Sequence, residues 1–361
     1  MISLLYLTVV GCVSLAKKRF RTLVYCIIAL ILLMSVVISS GVLEHVQSMP
    51  HQIDNESTEL LATLDHLPDV AVPSPSLDTK SQPPVVERYC DMNGFIQNQQ
   101  QRSKQLLAML SPEFKHIQHV FSANNGPAVV LSLYYTDLKE LTLDLIIERL
   151  SLVHGVYSKF LPTSQNKSVT LNLVVLSDRT QYEDYTSRYG FDPRTSQGVF
   201  FHGSNSAFVE YKNDQQVIKT AVHEAVHAMN LRLIGLTPRW LNEGMAQLLS
   251  GIDIQNGALT FDVKKAYLSA EPHDIYGLLA SESQWESIDT DKLYYSGWSW
   301  LSFLMGTELG VNTMTQLLRR ESTNPCDVLS SDATYQILQN AYPTFEQAFY
   351  DWRQALNSRS H

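Results

Sequence analysis

The amino-acid sequence predicts a mixed α+β domain, with a small sheet in its first half and helices in its second, carried behind one membrane-spanning helix. Three observations predict it. A charge-free apolar run covers residues 23–43. Short β-branched runs alternate with helical stripes between about residues 89 and 211, and helical spacing dominates from residue 213 onward. The 361 residues, 45% hydrophobic and 17% charged, allow one main globular unit with a sizeable core, and 16 Gly with 14 Pro are too few for a low-complexity chain. Lys+Arg 27 against Asp+Glu 36 gives a formal net charge of -9. That balance offers no basic surface for a phosphate backbone, so nucleic acid is not an expected partner.

The first element runs from Leu23 to Leu43. At about 1.5 Å per residue a helix of that length matches a hydrocarbon core about 30 Å thick, so the lipid bilayer is an expected partner. Lys17, Lys18, Arg19 and Arg21 stand just before it. The positive-inside rule keeps such a cluster in the cytoplasm, which makes residues 1–22 a cytoplasmic N-terminus and puts everything after Leu43 outside. The alternative is a cleaved signal peptide, but the apolar run is too long for one and Ser39 to Gly41 is a weak cleavage site. Met1 to Ala16 is apolar but short, and its crossing would leave the orientation unchanged. The expected location is the inner (cytoplasmic) membrane, single-pass, with the domain on the extracytoplasmic, periplasmic side.

Residues 44–88 follow as a tether, semi-extended where Pro68, Pro73, Pro75, Pro83 and Pro84 cluster, with a short amphipathic piece at Leu60 to Leu67. Residues 89–361 form the domain. Of the four cysteines, Cys90 and Cys326 belong to the exported part; they form either one bridge or two unpaired buried thiols.

Within the domain a Gln-rich helix is expected near Phe95 to Leu110, then a strand at Ala128 to Tyr135. A long helix, Leu138 to Leu161, carries Leu141, Leu145, Ile146, Leu150 and Val153 on one stripe. Val169 to Leu176 is a strand by its β-branched content, and Gln181 to Tyr189 a helix stopped at Gly190. Gly198 to His202 and Ala207 to Tyr211 flank Gly203-Ser204-Asn205-Ser206, which is hairpin composition. The second of these strands is expected at the sheet edge, where an extended peptide can add by main-chain hydrogen bonds. His202, on that hairpin, reads as a loop histidine. A helix from Asp214 to Leu233 buries Val217, Ile218, Ala221, Val222, Ala225, Val226 and Met229. Gly235 stops it, Thr237 and Pro238 are N-cap and N1 signals for a helix from Arg239 to Ser250, and Gly251 closes that one. Asp253 to Asp291 reads as irregular. Phe345, Phe349, Trp352 and Leu356, at i, i+4, i+7 and i+11, mark a terminal helix docked by its aromatic face.

The chemistry lies in His223-Glu224-Ala225-Val226-His227. Residues four apart on a helix share a face, so the two imidazoles can converge on one ion at about 2.0 to 2.1 Å each. Glu224 then leans toward the open side and takes a proton from metal-activated water. Composition alone yields about 0.03 chance occurrences of His-acid-x-x-His in this chain. A catalytic zinc needs a third protein ligand, and Glu243 on the next helix is the candidate, since packed helices lie about 8 to 10 Å apart. The competing reading makes His223 and His227 core histidines and Glu243 a solvated acid favoured by the helix dipole.

Val217 to Ser250, with Pro238-Arg239-Trp240-Leu241-Asn242-Glu243-Gly244-Met245-Ala246-Gln247 after the His-Glu-x-x-His helix, resembles the peptidase MA-like gluzincin zinc metallopeptidases, more loosely from Ala128 to Arg320. The resemblance implies a zincin-like fold, Zn2+ held by His223, His227 and Glu243, Glu224 as general base, and a protein or peptide substrate. It matches Tyr294, in the helix Leu293 to Leu304, to the family's downstream tyrosine; the residues by themselves leave Tyr294 and Tyr295 both open as oxyanion donors. The thermolysin-type Asn-Glu-x-x-Ser-Asp extension is absent, which leaves Gln247 and Asp253 as candidates to orient a ligand histidine. The expected function is a membrane-anchored zinc-dependent metallopeptidase; the rival is a catalytically inactive zinc-frame module for peptide binding or envelope assembly.

Overall fold

Aliphatic and β-branched residues build a five-stranded sheet in the first half of the domain. The computed structural model describes residues 91–122, 126–161, 168–256, 258–285 and 290–359. The apolar run 23–43 and the tether lie outside these residues. Among the described residues no helix is long and apolar enough to cross a membrane.

The elements are α1 (Met92–Leu107), β1 (Lys115–Phe121), β2 (Ala128–Tyr135), α2 (Glu140–Phe160), β3 (Ser168–Leu176), α3 (Arg179–Ser187), β4 (Gly198–Phe201), β5 (Ser206–Glu210) and α4 (Asp214–Met229). Their sheet order is β1-β2-β3-β5-β4. β2, β3 and β5 run parallel, with Val130 opposite Thr170 and Val174 opposite Phe208; β1 and β4 pair antiparallel at the two edges. Crossovers through α2 and α3 supply the parallel pairing, as parallel strands require. β3 is buried on both faces: Leu171, Leu173 and Val175 pack with α2 and α4, while Val174 and Leu176 pack with Tyr182 and Tyr185 of α3 and Leu106 of α1. β1 was not expected. Its Lys115, His116, Gln118 and His119 give a half-exposed edge strand without apolar alternation.

Two expectations fail here. β5, expected at the edge, is buried throughout and lies between β3 and β4, so the edge strand beside the histidine-bearing helix is β4. Leu141 is 70% exposed, because α2 turns Thr142 inward at that level to hydrogen-bond Asp214.

α4 is the centre of the domain, packed against α2, β3, β4, β5 and the next helix, α5 (Arg239–Leu249). Asn213 caps it, accepting from the Gln216 amide at 2.9 Å. Ala221, Ala225 and Ala228 are fully buried and let the neighbours approach closely. Five π-helical residues, Asn230–Ile234, follow, and the chain turns at Gly235, whose φ of 120° and contact with Pro325 leave no room for a Cβ. Pro238, not Thr237, stands at the N-cap of α5, and no side chain caps it.

The segment expected to be irregular holds a hairpin, β6 (Ile252–Gln255) with β7 (Ala258–Phe261), and two short helices, α6 (Lys265–Ser269) and α7 (Ile275–Leu279). α8 (Thr290–Met305) crosses α5 at two glycines. A Cβ on Gly244 would lie 2.8 Å from Leu301 Cδ1, and one on Gly297 3.0 Å from the Trp240 carbonyl oxygen. α9 (Glu308–Glu321), α10 (Ser331–Ala341) and α11 (Phe345–Arg359) complete the helical half. α11 docks by its aromatic face, with Phe349 stacked on Trp300 at 3.6 Å between ring centroids. Cys326 is in a disulfide whose partner lies outside the described residues.

Candidate metal centre

α4 and α5 bring three side chains to one point. His223 and His227 lie one turn apart on α4, their Nε2 atoms 3.1 Å apart. Glu243 reaches across from α5, with Oε2 3.5 Å from His223 Nε2 and Oε1 3.7 Å from His227 Nε2. Three ligands of a tetrahedral ion at about 2.1 Å stand about 3.4 Å from one another, close to the ring-nitrogen separation and to the contact that each carboxylate oxygen makes with one ring. Glu243 Oε2 is buried with no hydrogen-bond partner among the described residues. A buried carboxylate oxygen that faces two ring nitrogens without a hydrogen bond is costly without a cation, so the donor set fits a divalent ion such as zinc.

The protonation pattern is that of a mutual pair: against burial, the close contact with Glu243 and the charge of Glu224 raise His223 above the ordinary imidazole range. Burial works against charge on every member, yet the histidines, His227 first, hold the Glu243 carboxyl well below its usual range. Burial pushes His227 well below the ordinary imidazole range and so keeps its Nε2 lone pair free. Its other nitrogen, Nδ1, donates to Asn242 Oδ1 at 3.1 Å. Asn242 Oδ1 also accepts from Asn230 Nδ2 at 2.8 Å, and Tyr157 donates to Asn230 Oδ1. This chain from α2 fixes the amide orientation and hence the histidine tautomer.

Asn242 is therefore the orienting residue, and both sequence candidates for that role are engaged elsewhere. Gln247 accepts from Lys264, and Asp253 pairs with Arg149. The signal for Asn242 was its place immediately before Glu243, which on a helix turns it toward the preceding element while Glu243 faces the ion.

Glu224 is 5% exposed, and burial lifts its carboxyl to about 7 against the opposing charge of His223. Its carboxylate lies under β4: a Cβ on Gly198 would stand 2.6 Å from Oε1. Tyr294 is half-buried, edge-on to Trp285 at 5.2 Å. Burial, then the charges of Glu243 and Glu224, push its hydroxyl well above the ordinary range, so it stays a proton donor near both carboxylates. Tyr295 points elsewhere and donates to the Glu271 carbonyl at 2.8 Å. His202, at the end of β4, is close enough to Glu243 to feel its charge.

No family model and no curated protein matches the chain. Among solved structures it is similar to a mutant of an M1 zinc metallopeptidase from Deinococcus radiodurans, at 12% identity and a TM-score of 0.38, over 66% of this chain and 52% of that one. The chain thus spans about half the length of that protein. The likeness is one of distant fold, and the geometry above stands without it.

Proposed function

We propose that this chain is a zinc-dependent metallopeptidase of zincin-like fold, anchored in the membrane through residues 23–43 with its domain on the extracytoplasmic side. The observation that carries the reading is the convergence of His223, His227 and Glu243 beside a second, buried acid, Glu224. A purely structural ion needs no such acid. When bound, zinc supplies a Lewis acid that polarises a carbonyl and acidifies water.

The chain's own residues do the rest. A peptide lies along the outer edge of β4, hydrogen-bonded through its main chain, which carries its scissile bond past Glu224. Glu224 accepts a proton from the attacking water and returns it to the leaving amine. The Tyr294 hydroxyl donates to the oxygen on which charge develops. Asn242 holds His227 with Nε2 toward the site.

The test uses the full chain in detergent. Wild type is expected to hold about one zinc per chain and to cleave peptides; Glu224→Gln keeps the metal and loses turnover, and Glu243→Ala loses the metal. Stoichiometric zinc with no cleavage of any peptide in a broad library would favour the rival reading, an inactive zinc-frame module.

A further inference from the structure

The wall of the site on the N-terminal side of His223 carries a charge that the metal chemistry does not use. Gln215 and Lys219 lie two turns and one turn before His223 on the same face of α4. They line a cavity of about 260 Å³ between α4, α2 and the β6–β7 hairpin. Four ionised groups line that cavity as well, and they cancel: Arg149 pairs with Asp253, and Lys219 with Asp262.

Lys264, just after β7, stands outside that lining. Its ammonium donates to the side-chain carbonyl of Gln247, one turn along α5 from Glu243, and lies 5.0 Å from the centre of the Tyr267 ring. No carboxylate lies within ion-pair distance of it among the described residues. Lys264 is thereby held beside the turn of α5 that follows Glu243, and its charge acts on both Lys219 and His223. Burial and then the charge of Lys219 lower its pKa to about 8 against the opposing charge of Asp262, so at neutral pH it is a partly desolvated cation with no carboxylate in direct contact among the described residues.

We propose that Lys264, held at Gln247 one turn from Glu243, forms a subsite for a carboxylate of the substrate. A substrate carboxylate can supply the ion-pair partner that the ammonium lacks, while a basic residue there would meet the Lys264 charge and be rejected. The carboxylate has two sources, an acidic side chain near the scissile bond or the free C-terminus of the substrate. The proposal rests on the peptidase reading and makes Lys264 a specificity residue that takes no part in the chemistry.

The test is a set of quenched peptides that differ at one position among Glu, Gln and Lys, each made with a free-acid and an amidated C-terminus. They are assayed for cleavage by the zinc-supplied full chain and for binding, by fluorescence anisotropy, to its Glu224→Gln variant. The carboxylate-bearing member is expected to exceed its amide counterpart about ten- to a hundredfold in kcat/KM and in affinity, the range of a charge-assisted hydrogen bond. Lys264→Met removes that preference and Lys264→Glu reverses it toward the Lys peptide, with zinc content unchanged; Lys264→Gln replaces Met if that variant does not fold.

A preference that follows the scanned residue assigns the subsite to side chains, and one that follows the terminus assigns it to the C-terminal carboxylate. A wild-type preference below about twofold, or one that survives in Lys264→Met, overturns the proposal. Cleavage without acidic preference removes this subsite and leaves the peptidase reading intact. Selective binding without cleavage does the opposite.

Discussion

Gly198 and Glu224 meet across the edge of the sheet, with only the missing side chain of the glycine separating β4 from the Glu224 carboxylate. A Cβ there would stand 2.6 Å from Glu224 Oε1 and would also press on the Thr220 methyl. The close approach sets both the position of the acid and the height of the strand above it.

Gly198→Ala is therefore expected to displace Glu224 while leaving the metal ligands in place. A misplacement of about 1 Å at a reacting group costs on the order of a hundredfold in rate. Peptide turnover should fall by about that factor with zinc content unchanged, as read by kcat and by metal analysis of the same sample. Loss of zinc in parallel would show instead that β4 supports the ligand helix.

Asn242→Leu should weaken zinc retention. Removing the partner of a ligand histidine typically costs ten- to a hundredfold in metal affinity. Competition with a graded series of chelators measures it. Asn242→Asp, which keeps an acceptor for His227 Nδ1, is expected to retain more affinity than Asn242→Leu.

Gly244→Val or Gly297→Val should force α5 and α8 apart at their crossing. Overpacking of this kind costs about 1 to 3 kcal/mol, visible as a lower denaturation midpoint. Because α5 also carries Glu243 and α8 carries Tyr294, the surviving folded protein should lose activity beyond its loss of stability.

The start of α4 makes the protein acid-sensitive. Asp214 is held down to about 2 by the hydrogen bond from Lys139 and then by those from Tyr211 and Thr142. Unfolded, its pKa is about 3.9. A depressed carboxyl contributes stability that is present above the unfolded value and is lost as pH falls from about 4 toward 2. The group is exposed, so the effect is small and weakens with salt. Denaturant midpoints between pH 5 and 2 should fall less steeply for Asp214→Asn than for wild type.

Much of the fold was legible because local pattern and burial agree. β2 and β3 are long runs of aliphatic residues, and α4 carries its alanines and valines at helical spacing, so each element could be drawn from its own residues. β1, β6 and β7 were missed for the converse reason: β1 is largely exposed and rich in polar residues, β6 and β7 are short and partly exposed, and nothing in their composition separates them from loops. The edge assignment of β5 failed because strand order is set by pairing, which leaves no local trace; its burial comes from β3 and β4 on either side.

For the site, the sequence by itself determined the donor types and their helical spacing, since a four-residue step on an α-helix stacks two side chains whatever surrounds them. It also confined Glu243 to the following helix. Tertiary structure alone decided that Asn242 rather than Gln247 or Asp253 hydrogen-bonds His227, that the Tyr295 hydroxyl is engaged by the Glu271 carbonyl, and that β4 passes over Glu224. Those outcomes turn on how closely neighbouring elements approach, and that distance is set by pairs such as Gly244 with Gly297, residues far apart in the chain whose meeting no local pattern encodes.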